Sequence, residues 1–298
     1  MNETDFRCGY VPILGRPNVG KSTLANNLLH FKLSAVTKKP QTTRHRVLGI
    51  LNGSGYQMIL LDTPGILEPS YRLQEMFLRQ ALATIDEGDV LLVMTEPVKD
   101  GLSAHRGLLE RIERAGKPTV LAVNKVDLIR KPDLLPLIEH FTGLFPFTEV
   151  VPISALKADG IDRLRDVLCS LLPIGPALYP PGEITDRPER FFVAEIIREK
   201  IFGLYGEEIP YSVAVAIEEF TERTAPAKDY IRAMIFVERD SQKGVLIGKG
   251  GKGLKRLGQH AREDTERLLG RQVYLELRVL VREKWRKKDS MLRDLGYG

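Results

Sequence analysis

Eight consecutive residues, Gly15-Arg16-Pro17-Asn18-Val19-Gly20-Lys21-Ser22, limit this chain more than any other feature. They match the G-x-x-x-x-G-K-S/T pattern of a phosphate-binding loop. The apolar run from Tyr10 to Leu14 precedes them, and a helical pattern from Thr23 to Leu29 follows. That context predicts a strand, a tight loop and a helix in direct succession. A glycine-rich turn that merely opens a helix is the competing reading, and the strand before it argues against that. Gly15 and Gly20 let the backbone curl until successive N–H groups point inward at an anion. The helix opening near Lys21 adds its positive end. The Lys21 ammonium is placed to reach β- and γ-phosphates, and the Ser22 hydroxyl to ligate Mg2+.

Four further segments complete a nucleotide site. Asp62-Thr63-Pro64-Gly65 closes the apolar run from Met58 to Leu61. A carboxylate at a strand's C-terminal end can hold the Mg2+ shell, and the Gly65 N–H can face a γ-phosphate. Asn124-Lys125-Val126-Asp127 follows the buried-type run from Thr119 to Val123. The Asp127 carboxylate can accept from N1–H and the amino group of guanine. Adenine lacks that donor pair, so it would leave the carboxylate unpaired. Asn124 is expected to tie this loop to the phosphate loop, and the Lys125 stem to pack on the base. Ser154-Ala155 follows another strand pattern, and the Ala155 N–H could face guanine O6. The polar segment from Lys38 to His45 is the candidate γ-phosphate sensor, with Thr43 as a second Mg2+ ligand and Thr42 in reserve. GTP or GDP with Mg2+ is therefore the expected cofactor set. Its contacts are Gly15 to Thr23, Asp62 to Ile66, Asn124 to Asp127, Ser154 and Ala155. Lys21, Thr43 and Gly65 serve the chemistry, and Ser22, Thr43 and Asp62 hold the metal.

Strand patterns near 7–14, 46–52, 56–62, 89–95, 118–124 and 148–153 alternate with amphipathic stretches. This predicts an α/β unit over 1–172 with a largely parallel sheet covered on both faces. Gly53-Ser54-Gly55 reads as a hairpin turn, so the second and third strands should run antiparallel and make the sheet mixed. Pro12 is awkward in a central strand, because it removes a ladder donor. Pro173, Pro176, Pro180, Pro181 and Pro188 mark 173–190 as a linker, either a semi-rigid transmitter or a tether.

Residues 191–298 read as helix, two strands, two helical stretches and a last strand at 273–281. Gly248-Lys249-Gly250-Gly251 sits between the helical stretches. A G-x-x-G alone carries nothing, and Gly203 to Gly206 is a decoy among acidic residues. Here an apolar Val245-Leu246-Ile247 precedes the loop and lysines flank it. Glycines would let the backbone clamp nucleotides, with phosphates neutralised by Lys249 and Lys252. Lys243, Ile247, Lys255 and Arg256 complete the expected RNA-binding set. A helix–turn–helix with solvated lysines is the alternative. Charge supports a polyanion-facing surface: 243–262 holds six basic residues and no acid, within a net charge of +5. Five more basic residues lie in 282–288 around Trp285, which either packs inward, the preferred reading, or stacks on a base.

Composition excludes little else. The chain has 298 residues, enough for two ordinary domains, with 43% hydrophobic content. No apolar run reaches the length of a membrane span, and the polar start is not of signal-peptide type. Cys8 and Cys169 are expected as buried thiols, as suits a reducing cytoplasm. The five histidines show no zinc spacing.

Taken together, these motifs resemble the translation-factor branch of the GTPases. With the Gln41-Thr42-Thr43-Arg44-His45 segment and the second domain, the resemblance narrows to the Era family. It implies a P-loop GTPase domain followed by an α+β type II KH domain over 191–298. It also implies binding of small-subunit ribosomal RNA near its 3′ end, a role in 30S assembly, and a cytoplasmic, monomeric protein. Peripheral contact with the membrane comes from the resemblance alone. An RNA-modification GTPase and a non-catalytic RNA scaffold are the alternatives. Ile66 stands where many GTPases carry a water-orienting glutamine, so intrinsic hydrolysis is expected to be slow.

Overall fold

The structure is a computed structural model describing residues 5–37, 39–102, 106–206, 208–224 and 226–297. Lys38, at the start of the expected sensor segment, and the first four residues lie outside the described set. The chain divides into two compact units. The first gathers 1–34, 43–68 and 77–186; the second gathers 35–42, 69–76 and 187–298.

The first unit alternates strands and helices: β1 (Arg7–Gly15), α1 (Lys21–Leu29), β2 (Val47–Gly53), β3 (Tyr56–Asp62), α2 (Arg72–Glu87), β4 (Leu91–Thr95), α3 (Arg106–Ala115), β5 (Thr119–Val123), α4 (Lys131–Leu144), β6 (Glu149–Pro152) and α5 (Ile161–Leu171). The first turn of α2 falls in the second unit by this division. The sheet order is β2-β3-β1-β4-β5-β6. Only β2 and β3 pair antiparallel; the other four pairings are parallel. Every residue of β4 and β5 is buried, which is why both read as unbroken apolar runs: helices cover both faces of a parallel sheet. Leu14, Val93 and Leu121 meet Ile112 and Phe141 in one core.

Pro12 has a simple explanation. The ladder between β1 and β4 starts only at Ile13. Pro12 lies just before that start, packed against Gly88, where a Cβ would come within 2.5 Å of its ring.

The proline-rich stretch 173–186 lies along the first unit's sheet. Pro173 O accepts from Cys8 N at 3.0 Å, and Ile184 O from Ile50 N at 2.7 Å. Gln57, 1% exposed near the start of β3, accepts from Leu178 N and Tyr179 N (2.8 and 2.9 Å) and donates to Tyr179 O (2.9 Å). A buried amide whose donor and acceptor are both satisfied fixes the strap against the sheet.

The second unit contains α6 (Glu189–Leu204), α7 (Ile209–Ser212), β7 (Ala214–Thr221), β8 (Asp229–Val237), α8 (Asp240–Ile247), α9 (Lys252–Leu269), β9 (Val273–Val281) and α10 (Asp289–Asp294). Its sheet order is β7-β8-β9, with β7 and β8 antiparallel and β8 and β9 parallel. Ile197, Ile201, Ile235, Leu257 and Ala261 fill the layer between helices and sheet. Trp285 is fully buried, donates Nε1–H to Ser212 O at 2.9 Å and stacks on Tyr297. It packs inward and is out of reach of a base.

Segments 35–42 and 69–76 are part of this second unit. Lys39 donates Nζ–H to Phe202 O at 2.7 Å and to Tyr205 O, satisfying carbonyls at the end of α6. Arg72 grips Asp289 through two bonds of 2.9 and 3.0 Å, and the Arg286 guanidinium lies 5.2 Å from the Tyr71 ring centre.

Candidate functional site

The nucleotide site forms where four parallel-type strands end. Gly15 closes β1, Asp62 closes β3, Asn124 follows β5, and Ser154 follows β6. Ligands in such sheets bind beyond the carboxyl ends of the strands. Gly20 has φ 104°, and any Cβ there would overlap the Asn124 amide. Glycine is therefore required twice, by backbone angle and by contact. Gly65 is equally close to the loop: a Cβ would lie 2.5 Å from Pro17 N. Ile66 N donates to Gly15 O at 3.0 Å, so the segment after Asp62 is stitched to the phosphate loop. The Ile66 side chain packs against the apolar core and offers no polar atom to water.

Lys21 is 5% exposed and its ammonium donates to Gly15 O (3.1 Å) and Arg16 O (2.9 Å). Burial pulls its pKa down to about 8, against the opposing charge of Asp62. The cradle thus holds a buried cation paired with carbonyl dipoles inside an amide-lined loop, a setting that favours an incoming anion.

Three oxygen donors converge beside it. Ser22 Oγ donates to Asp62 Oδ2 at 2.7 Å and lies 2.7 Å from Thr43 Oγ1. Asp62 is fully buried, and its Oδ1 makes no hydrogen bond. Burial raises its pKa, partly offset by the neighbouring Ser34 and Ser22 hydroxyls and by Lys21. Ser34 Oγ itself makes no hydrogen bond, so its influence on Asp62 is one of proximity. A buried carboxylate oxygen without a donor, among hydroxyls, fits a hard divalent cation such as Mg2+. Thr42 is occupied elsewhere: its hydroxyl donates to Lys39 O at 2.8 Å and contacts Thr37 Oγ1 at 2.6 Å. The structure thus brings Thr43, not Thr42, beside Ser22 and Asp62.

On the base side, Asn124 joins two loops. Its Nδ2 donates to Val19 O at 2.6 Å, and its Oδ1 accepts from Ala155 N at 2.8 Å. The Ala155 N–H, expected to face guanine O6, is therefore engaged within the protein. The physical reason is that Asn124 lies between the loops and takes the amide for the tie. Asn27 of α1 adds a bond to Ala155 O, a support the sequence reading missed because nothing in a helical Asn-Asn pair marks it. Asp127 accepts from Ser154 Oγ at 2.7 Å, which together with nearby lysines holds its carboxyl below the usual range. It stays charged and retains acceptor capacity for a base. The Lys125 ammonium pairs with Glu96, which anchors the end of its stem. Arg16, Pro17, Asn18 and Val19 form the loop rim. Thr23 follows Ser22 in the first turn of α1, Thr63 donates to Ile13 O at 2.7 Å, and Pro64 and Val126 complete their loops.

The second site lies in the second unit. Gly248 (φ 69°, ψ 174°) and Gly250 (φ 59°) hold backbone angles that side-chain-bearing residues avoid. They bend the chain from the end of α8 to the start of α9, so the α9 N-terminus points at the loop. Nothing approaches the missing Cβ positions of Gly250 and Gly251 within 4 Å, so that face of the loop is open. Lys249, Lys252, Lys255 and Arg256 are exposed, whereas Lys243 and Ile247 are partly covered. A groove of about 470 Å³ continues from Gly251 between α9 and edge strand β9, lined by Leu254, Lys255, Gly258, Arg262 and Leu277 among others. Lys228, Gln259 and Tyr274 also border it and were missed from sequence, whereas Arg262 belongs to the basic run 243–262. The helical stripe Lys255, Gly258, Gln259 and Arg262, at i, i+3, i+4 and i+7, was the available signal.

The comparisons agree with both halves. The family model described as 50S ribosome-binding GTPase matches residues 10–125, and the KH domain model matches 208–286. GTPase Era of Geotalea uraniireducens is 47% identical over 297 residues, covering all of both chains, and that of Geotalea daltonii is 46% identical with the same coverage. A crystal structure of an Aquifex aeolicus Era variant bound to GDP and AlF4⁻ superposes with a TM-score of 0.94 at 42% identity, over 98% of this chain and 100% of that one. Era in complex with MgGDPNP and nucleotides 1506–1542 of 16S ribosomal RNA gives the same score and identity, over 98% and 99%. A P-loop GTPase unit followed by a KH domain, with full-length identity near one half, means that the chain belongs to the Era family of GTPases.

Proposed function

We propose that this chain is a GTP-hydrolysing switch whose KH domain binds small-subunit ribosomal RNA near its 3′ end during 30S assembly. One observation carries the catalytic half: Ser22, Thr43 and Asp62 converge beside the phosphate loop, and Asp62 keeps one buried oxygen without a partner. Mg2+ held there would neutralise charge developing on the β- and γ-phosphate oxygens. The protein's own residues do the rest. Loop amides and Lys21 orient the phosphates, Gly65 approaches them from the Asp62 segment, and Asp127 selects guanine. Ile66 provides no hydrogen bond to the attacking water, which accounts for slow intrinsic turnover. Thr43 is the residue whose position depends on a γ-phosphate. It directly follows the 35–42 segment of the second unit, so chain continuity gives the nucleotide a route to the KH domain.

The RNA half rests on the open glycine loop and its exposed cations, and on the Era structure that holds nucleotides of 16S ribosomal RNA. The proposed domains are 1–172, a Pro-rich segment 173–190, and 191–298. The place of action is the cytoplasm, on the 30S subunit, as a monomer. Among the described residues no helix is long and apolar enough to cross a membrane. Peripheral membrane contact would rest on the basic surface alone.

An RNA-modifying enzyme working through a cysteine is disfavoured. Burial pushes the Cys8 thiol up and Cys169 to about 11, the opposite of an activated thiolate. Phosphate release from GTP and from ATP, each with and without RNA ending in the 16S 3′ sequence, tests the proposal. GTP-selective turnover is expected. Equal turnover of ATP would overturn the Asp127 assignment, and no turnover in any arm would leave a scaffold.

A further inference from the structure

We propose that Tyr274 is a stacking platform for a nucleobase beyond those held at Gly248–Gly251, so that bound RNA leaves the groove over edge strand β9. The inference rests on the RNA-binding reading and extends it to a residue outside the glycine loop.

Tyr274 lies on the free edge of the three-stranded sheet, borders the groove, and is 59% exposed. Its hydroxyl makes no hydrogen bond among the described residues. A tyrosine kept for packing would bury its ring and satisfy its hydroxyl. Its ring is nevertheless held in place. It stacks on Tyr230 across the strand pair, with centroids 5.9 Å apart and planes 12° from parallel. Tyr230 is fixed in turn by its bond to Glu276 and by the Arg223 and Arg232 guanidinia, 5.7 and 5.3 Å from its ring centre. One face of Tyr274 thus has a supported backing while the residue stays open to solvent. A preordered aromatic face of this kind accepts any base at little entropic cost.

The charges give a path to it. Lys255 and Arg262 of α9 and Lys228 before β8 line the groove, and none of the three forms an ion pair among the described residues. Among the described residues no carboxylate lines the groove. Acids on the sheet's outer face are matched: Arg232 meets Glu218, Glu219 and Glu276, and Arg278 meets Glu276. From Gly251 to Arg262 the helix rises about 16 Å. A strand gripped at the glycine loop therefore meets cations along the groove and an aromatic face at its far end. The occupant these features fit is single-stranded RNA, longer than the roughly four nucleotides a G-x-x-G loop clamps.

Fluorescence anisotropy on the full chain, using single-stranded RNAs of about four nucleotides and about twice that length from the 16S 3′ end, tests this. Tyr274→Ala should weaken the longer RNA about tenfold, within the range for one lost stack, and leave the shorter one unchanged. Tyr274→Phe should bind both like the parent. An abasic scan of the longer RNA should show one position whose loss costs the parent affinity but costs Tyr274→Ala nothing more. Equal weakening at both lengths, or none at either, overturns the platform while the RNA-binding reading stands. If the parent binds neither RNA, that reading fails and the platform with it.

Discussion

The molecule carries two glycine loops, each running into the N-terminus of a helix, and they are built in opposite ways. Around the first, neighbours press from behind. A Cβ at Gly20 overlaps Asn124, and one at Gly65 meets Pro17 N at 2.5 Å. Its lysine is 5% exposed. Around the second, Gly250 and Gly251 have nothing within 4 Å, and Lys249 and Lys252 stand in solvent. The first loop is a closed cage that the fold preassembles. The second is an open clasp whose glycines matter to the incoming backbone. Substitutions should therefore damage fold and nucleotide binding together in the first loop, and in the second chiefly RNA binding, beyond the local cost of the backbone angle.

Gly20→Ala should give the largest effect. The methyl group displaces the Asn124 amide that ties the phosphate loop to the base loops, at a backbone angle costing about 1–3 kcal/mol for a side-chain-bearing residue. Calorimetry should show GTP affinity down by more than about 100-fold, as the loss of two loop N–H bonds to a charged phosphate implies. The melting temperature should fall as well. Asp127→Ala sharpens the contrast, because it removes a ligand contact without a steric clash. GTP binding should weaken by about 100-fold, with loss of preference over ATP, from two hydrogen bonds of about 1.5 kcal/mol each.

In the open clasp, Gly250→Ala meets no atom and carries only its φ of 59°, a cost of about 1–2 kcal/mol. RNA affinity should drop about tenfold, while GTP binding by the same sample stays at the parent value. A loss of GTP binding would break the distinction between cage and clasp. Lys249→Ala and Lys252→Ala should each flatten the dependence of log affinity on log salt by about 0.7, the value for one phosphate contact on a single strand. An unchanged slope would remove that lysine from the contact set.

Both loops were legible in the sequence because their residue types are dictated locally, by backbone angle and spacing. The strands were legible because buried parallel strands are unbroken apolar runs bounded by turns. What escaped was long-range. Nothing near Gln57 shows that its amide will hold a proline segment more than a hundred residues away. Nothing in Lys39 announces that it will satisfy the end of α6, nor in Arg72 that it will grip Asp289. The Ala155 N–H could face the base as far as local spacing shows, because spacing does not reveal that Asn124 accepts from it. Tyr274 and Lys228 were hidden because groove and edge strand become neighbours only in the folded sheet.

The smallest expected effect contrasts the buried Asp62 of the first unit with the paired carboxylates of the second. In the second unit, the Tyr230 hydroxyl and then Arg278 pull Glu276 down to about 2, outweighing the desolvation that would raise it. Asp229 is also depressed: burial pushes it up, but Arg271 and the Arg223 N–H more than compensate. Carboxylates with lowered folded pKa values contribute stability above their unfolded values of about 4. That contribution disappears as pH falls through the folded values. In the first unit, burial raises Asp62 in the nucleotide-free protein, so its protonation on acidification relieves a cost. Urea unfolding of the second unit, followed through its single tryptophan, Trp285, should therefore weaken from about pH 5 to about pH 2. Glu276→Gln should flatten that decline, because an amide has no proton to gain. A Glu276→Gln curve parallel to the parent's would mean that the Tyr230–Glu276–Arg278 cluster does not couple to folding, and would remove the rigid backing on which Tyr274 depends.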